Sequence, residues 1–149
     1  MRRTVVKVLL LAIVLAGAWA YTRWPVINDV ETGKTPEYPD LKVRDYMTSE
    51  EKVAKAARAT VERLPRWSFV AQGKGPGGTE IQAVAATRVW RFKDDVTIRV
   101  RREGGRTRVS VRSKSRVGKA DFGQNARNIQ LFLHELDQEL FGVGGSNPL

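Results

Sequence analysis

Cysteine is absent from this 149-residue chain, which at once excludes a disulfide framework, a thiolate metal site, a lipidated lipoprotein N-terminus and a cysteine nucleophile. Composition therefore leaves the redox compartment open. Histidine occurs once, at His134, so a multi-histidine metal site is excluded as well. There is no G-x-S-x-G elbow, no zinc-spaced histidine pair, no dinucleotide fingerprint and no internal repeat. The sequence accordingly assigns no catalytic residue, no metal and no cofactor, and it points away from an enzyme. Acidic residues are also in short supply, 16 against 26 lysines and arginines, for a formal charge of +10. Setting aside Arg2, Arg3 and Lys7, which precede the apolar run, leaves about +7, and a domain so charged prefers anionic partners. With 42% hydrophobic and 28% charged residues, what remains is a folded chain with room for one domain and a modest core.

The longest apolar run, without a charge, goes from Val8 to Tyr21 behind the basic opening Met1-Arg2-Arg3-Thr4-Val5-Val6-Lys7, the n-region and h-region of a membrane-targeting segment. Its 14 residues fall short of the roughly 20 that span a bilayer, although Thr4–Val6 and Thr22–Val26 extend the helix. Ala18-Trp19-Ala20 offers a cleavage pattern, whereas Trp19, Tyr21 and Trp24 resemble the aromatic belt of an uncleaved anchor. Residues 1–24 are read as a signal anchor, with a cleaved signal peptide as the alternative. Basic residues ahead of the run favour an inside N-terminus, so the domain is expected at the inner membrane facing the periplasm or cell exterior, or free in the periplasm after cleavage. Arg2-Arg3 also resembles a degenerate twin-arginine signal.

Residues 25–47 carry Pro25, Pro36 and Pro39 with no sustained period and are read as an extended linker. The folded domain is expected over 48–142, with 143–149 as a flexible tail. Thr48-Ser49-Glu50-Glu51 fits a capping box, after which Val53, Ala57, Val61 and Leu64 recur at helical spacing until Pro65. Trp67, Phe69 and Ala71 alternate before a loose glycine loop at residues 73–78, and Ile81, Ala83 and Ala85 alternate after it. The loop lacks the spacing and lysine of a phosphate-binding loop. A phase shift between Ala85 and the pair Trp90 and Phe92 predicts a β-bulge, and Asp94-Asp95 predicts a turn and not an acid/base couple. Val96, Ile98 and Val100, then Val109 and Val111, alternate with polar residues as a hairpin, gathering Arg99, Arg101, Arg108 and Arg112 on the face opposite the core. A final amphipathic helix carries Ile129, Phe132, Leu133, Leu136 and Leu140, with His134 on its polar face. The expectation is an α+β fold: an antiparallel meander of about four strands with both helices on the valine-lined face.

Between hairpin and helix lies the densest cluster of chemistry-bearing residues. Arg112-Ser113-Lys114-Ser115-Arg116-Val117-Gly118 and Asp121-Phe122-Gly123-Gln124-Asn125 resemble the signature of the domain-of-unknown-function 1499 family. Tyr38-Pro39, the strand from Thr79 to Thr87 and Asp94-Asp95-Val96 fit the same pattern, so the resemblance covers roughly Tyr38 to Leu140. It implies an envelope or organelle-lumen domain behind a membrane segment and supplies no catalytic residue. Where members often carry arginine before the isoleucine of the last helix, this chain has Asn128.

Two readings of the motif follow. In the structural one Asp121 caps the helix and pairs with Arg112 or Arg116, while Gly118, Gly123 and Asn125 serve the turn around Ser113 and Ser115. In the functional one Arg99, Arg101, Arg108, Arg112 and Arg116, with helix N-terminal amides, bind an anion. A third arrangement, with Ser113 or Ser115 as a hydrolase nucleophile, suffers from the distance of His134 along its helix. The expected function is a non-enzymatic, membrane-tethered binding or scaffolding module with anionic lipid, cell-wall or protein partners. The alternative is a soluble periplasmic carrier of an anionic small molecule or lipid. The targeting segment argues against nucleic acid.

Overall fold

The computed structural model describes residues 2–142 apart from 24, including the side chains of 4–19, 21 and 22 in the first helix. Trp24, expected in an aromatic belt, and the tail 143–149, expected to be flexible, lie outside the described residues. The uncharged run forms helix α1 (Arg2–Arg23). Its large apolar side chains from Val5 to Leu15 are more than half exposed. Among the described residues no helix is long and apolar enough to cross a membrane, so a helix is established here and a bilayer crossing is not.

The remaining elements are β1 (Asp29–Glu31), β2 (Arg44–Tyr46), α2 (Glu50–Arg63), β3 (Trp67–Gly75), β4 (Gly78–Ala86), β5 (Lys93–Glu103), β6 (Arg106–Ser115) and α3 (Gln124–Phe141). The fold is α+β. Strands β3 to β6 form the antiparallel meander that the alternation predicts, yet the sheet has six strands and not about four. The additional pair comes from the segment read as a linker. β1 pairs with Arg112 to Lys114 and β2 with Thr107 to Val109, so the two lie end to end along one edge of β6. Val30, Leu41 and Tyr46 from this segment are buried in the core. Three-residue strands are too short to display a period of two; pairing with the free edge of β6 makes them strands. Between them Thr32 Oγ1 accepts from the Val111 amide at 3.0 Å, bridging the gap in the ladder.

Both helices cover the valine-lined face, α2 over β3, β4 and β5 and α3 over β6 and β1. Ser49 caps α2 through the Lys52 amide, with Glu50 and Glu51 in the first turn. Its inward residues, Val53, Ala57 and Val61, meet Ile129, Phe132, Leu133 and Leu136 of α3 in one buried cluster with Ile81, Val96, Ile98, Val100, Val109 and Val111. Trp67 stacks on Phe132 with ring centroids 6.0 Å apart.

Three local expectations are corrected. The bulge sits at Val70, where the register shifts between Phe69 and Ala71, and not after Ala85. The glycine segment is no loose loop: β3 continues through Gly75, the turn is Pro76-Gly77, and β4 resumes at Gly78. Gly78 has φ +101°, and a Cβ there would lie 2.3 Å from the Val100 carbonyl oxygen, so only glycine fits this crossing. Asp94-Asp95 is not a turn but belongs to β5, opposite Ser115 and Lys114. The chain turns earlier, over 87–92, where Thr87 donates its amide to Phe92 O at 2.8 Å and Phe92 donates its own to Thr87 Oγ1 at 2.9 Å.

Candidate functional site

At the end of β6 the period of two turns Ser113 inward, and the chain then crosses to α3 through a short loop. There Asn125 links three segments. Its Oδ1 accepts from Ser113 Oγ at 2.6 Å, and its Nδ2 donates to Ser115 Oγ at 2.9 Å and to the Asn28 carbonyl at 3.0 Å. Asn128, one turn on, donates to Asp94 Oδ2 at 2.9 Å and to Ser113 Oγ at 3.2 Å. Asp94, Ser113, Asn125 and Asn128 are all buried, so each bond replaces water that none of them can reach. Removing one partner would strand the others at a cost of about 1–3 kcal/mol.

Asp121 does cap α3, but from two residues further out than the sequence implies. The helix begins at Gln124 behind Gly123, which has φ +76°, and Asp121 accepts from the Gly123 and Asn125 amides at 2.9 and 2.7 Å. Its carboxylate is consumed by backbone donors, and the expected pairing with Arg112 or Arg116 is not formed. Arg112 instead grips Asp29 of β1 with two donors, one at 2.8 Å, and Arg116 donates to Asp95 at 2.9 and 2.6 Å. That double contact holds the Asp29 carboxyl below the usual carboxylate range.

The outer face of the hairpin gathers Arg99, Arg101, Arg108 and Arg112 as the alternation predicts, and each meets a carboxylate. Arg99 lies 3.1 Å from Glu80 and 3.6 Å from Glu31, Arg101 3.1 Å from Glu103, and Arg108 3.0 Å from Asp45 and 2.7 Å from Glu103. Three of those acids, Asp29, Glu31 and Asp45, arrive on β1 and β2, which is why the hairpin pattern alone gave no sign of them. The face is an ion-pair lattice rather than a bare cationic surface. His134 is exposed on α3, and the bonds of Ser113 run to Asn125 and Asn128, so the structure does not assemble a serine–histidine pair among the described residues.

Residues read from sequence as bulge, turn and motif come together around a cleft. The loop 87–92 and the segment 117–122 flank a cleft of about 550 Å³, lined by Val89, Trp90, Phe92, Val117 and Phe122 together with Asp94, Ser115 and Gln124. Its rim is unusually apolar for a surface: Trp90 is 77% exposed, Val89 74%, Val117 64%, Phe92 52% and Phe122 50%. On each side one non-glycine residue has left-handed backbone, Arg91 at φ 56° and Phe122 at φ 51°, a conformation that disfavours bulky side chains and clusters at functional loops. Burial pushes the Asp94 carboxyl above its ordinary value, opposed by hydrogen bonds from Ser115 and Asn128. The arrangement can hold a molecule with an apolar body and a polar end. The available signal was the break in phase between Ala85 and the pair Trp90 and Phe92, which marks not a bulge but the loop between β4 and β5.

A six-stranded antiparallel sheet with two helices on one face and a polar cluster at the β6–α3 junction defines a small α+β domain. The chain belongs to the family described as Protein of unknown function (DUF1499), whose model matches residues 22–136. A comparison with curated proteins gave no match. Among solved structures it is similar to the crystal structure of TTHA0849 from Thermus thermophilus, at 14% identity and a TM-score of 0.38 over 75% of this chain and 96% of that one.

Proposed function

We propose that this protein is a non-enzymatic binding module, tethered by α1 to the inner membrane with its domain on the periplasmic or outer side, and that its ligand is a lipid-like amphiphile held between loops 87–92 and 117–122. The observation that carries the reading is the exposed apolar rim of Val89, Trp90, Phe92, Val117 and Phe122 on a cleft that Ser115 and Gln124 also line, with the buried Asp94 at its wall. A cavity of 550 Å³ lies within the roughly 300–1,000 Å³ usual for small-molecule sites. An apolar wall with a few fixed polar groups suits an amphiphile better than a free anion. The tether is supported by the uncharged helical run from Val8 to Tyr21 behind Arg2, Arg3 and Lys7. The arginine face is the weaker candidate for an anionic lipid or envelope protein, because its cations already have carboxylate partners.

Native mass spectrometry of the full chain extracted in mild detergent tests the reading. Parent protein is expected to retain bound lipid, and Val117→Asp to lose it with an unchanged melting temperature, since Val117 is exposed and contributes little to the core. A parent that carries no lipid, or a variant that retains it equally, would overturn the cleft.

A further inference from the structure

The same end of the molecule carries a second pattern. Interleaved with the apolar rim are Arg88, Arg91, Lys93 and Lys119, all exposed. Unlike the sheet-face arginines, these four have no ion-pair partner among the described residues. Arg116 beside them is paired with Asp95, which leaves the local balance positive. Trp90 and Phe92 alternate with Arg91 and Lys93 along the chain here. Helix α1 arrives at this place too: the Tyr21 ring lies 6.0 Å from that of Phe122. Aromatic rings with a polar edge or a tolerance for headgroups, aliphatic tips and unpaired lysine and arginine form the side-chain set that settles at the interface of an anionic bilayer.

We infer that loops 87–92 and 116–122 dock the domain onto the anionic lipid surface from which α1 emerges, so that the cleft opens toward the headgroups and not toward bulk water. The inference rests on the tether proposed above and adds an orientation and a lipid class to it. Docking has a direct consequence for the cleft: an amphiphile could pass between bilayer and cleft without crossing water. The hairpin tip at Gly75 to Gly78 lies at the opposite end of β4 from loop 87–92 and would point away from the membrane. Two separate contributions hold the domain in this pose. Burial of Val89, Trp90 and Val117 is insensitive to salt, whereas attraction of Arg88, Arg91, Lys93 and Lys119 to the surface is screened by it.

The absence of cysteine permits a direct test on the full chain, because a single introduced thiol can be labelled without background. Nitroxide labels at Val89→Cys, Leu11→Cys and Lys74→Cys would be placed in chains reconstituted into vesicles of phosphatidylcholine with and without phosphatidylglycerol. Collision with oxygen, which concentrates in lipid, is then compared with collision with an aqueous nickel complex. The expected result is a lipid-like ratio at position 11 in both vesicles, an aqueous ratio at 74, and at 89 a ratio severalfold above that at 74 in anionic vesicles. That ratio should fall in neutral vesicles, at high salt, and when Arg88→Gln, Arg91→Gln and Lys119→Gln are combined. Position 11 in lipid with position 89 as aqueous as 74 would overturn docking and leave the tether intact. Both positions aqueous would overturn the tether and docking with it. Position 89 shielded from both agents would mean that protein, such as a second copy of this chain, covers the rim, and would also overturn the proposal.

Discussion

Asp94 is the residue whose environment says most about the site. Only 1% of it is exposed, it accepts hydrogen bonds from Asn128 and Ser115, and among the described residues it forms no ion pair. Burial raises its folded-state value above 3.8, so the folded chain binds a proton more readily there than the unfolded chain does. It follows that Asp94 weakens the fold at neutral pH, and that this penalty is relieved as pH falls through the raised value toward 3.8. Asp29 behaves oppositely. Its value is lowered mainly by the hydrogen bonds from Arg112, so its contribution is present above 3.8 and is lost as pH falls through the lowered value. The prediction is that Asp94→Asn, which keeps an acceptor for Asn128, raises the melting temperature at neutral pH and removes the gain in stability expected of the parent as pH falls toward 3.8. Melts of parent and variant from neutral to acid pH decide this. Equal pH profiles would mean that Asp94 is ionised in the folded chain as easily as in the unfolded one.

At the scale of elements, legibility followed length. Helices α2 and α3 and strands β4, β5 and β6 each run for at least nine residues, enough for Val53, Ala57 and Val61 or for Val96, Ile98 and Val100 to declare a period. β1 and β2 have three residues apiece, and no pattern in Asp29-Val30-Glu31 or Arg44-Asp45-Tyr46 distinguishes them from coil. Their existence depends on the β6 edge, a partner about eighty residues away for β1, and non-local pairing cannot be read from local spacing. The same limit hid the ion pairs of the arginine face and the role of Asn28 beside Asn125. The motif residues Ser113, Ser115, Asp121 and Asn125 were legible as a cluster because all four lie within one short stretch of chain. Their bond partners Asp94 and Asn128 were not, since Asp94-Asp95 has the composition of a turn and only its pairing with Ser115 and Lys114 shows it to be strand. A consequence is that the domain cannot begin at residue 48. Val30 and Tyr46 are 0% and 1% exposed, and the Tyr46 hydroxyl donates to Asp137 at 2.7 Å. Removing 25–47 would open the core beneath them and leave β6 an exposed edge. A chain starting at Thr48 should therefore lack a cooperative melt and show little amide protection in β6, whereas one starting at Pro25 should fold. A cooperative transition in the shorter chain would show that β1 and β2 are accessories.

For the whole molecule, the question is where the excess of ten positive charges resides. On the sheet face it is matched: Arg99, Arg101, Arg108 and Arg112 are stitched to Glu80, Glu103, Asp45 and Asp29. Cations without an ion pair among the described residues include Arg88, Arg91, Lys93 and Lys119 at the cleft end, and also Lys42, Lys52, Lys55, Arg66, Lys74 and Arg106 elsewhere on the domain. Charge matched in a lattice holds strands β1 and β2 to the hairpin, while charge left unmatched is free to meet something outside. This predicts a separation of effects when Arg99, Arg101 and Arg108 are changed together to glutamine. The variant should fold, because the side chains are partly exposed and such pairs contribute little singly. Its melting temperature should fall by no more than about 5 °C, since Glu80, Asp45 and Glu103 would lose partners on a face that water can still reach. Lipid retained by the chain in native mass spectrometry should be the same as for the parent, because none of the three arginines lines the apolar cleft. Loss of lipid in this variant, with the fold intact, would move the binding surface from the cleft to the sheet face and make the arginine lattice a receptor whose carboxylates are displaced by the ligand. Collapse of the fold would instead show that the lattice, by fastening the two short strands, supports the core beneath it.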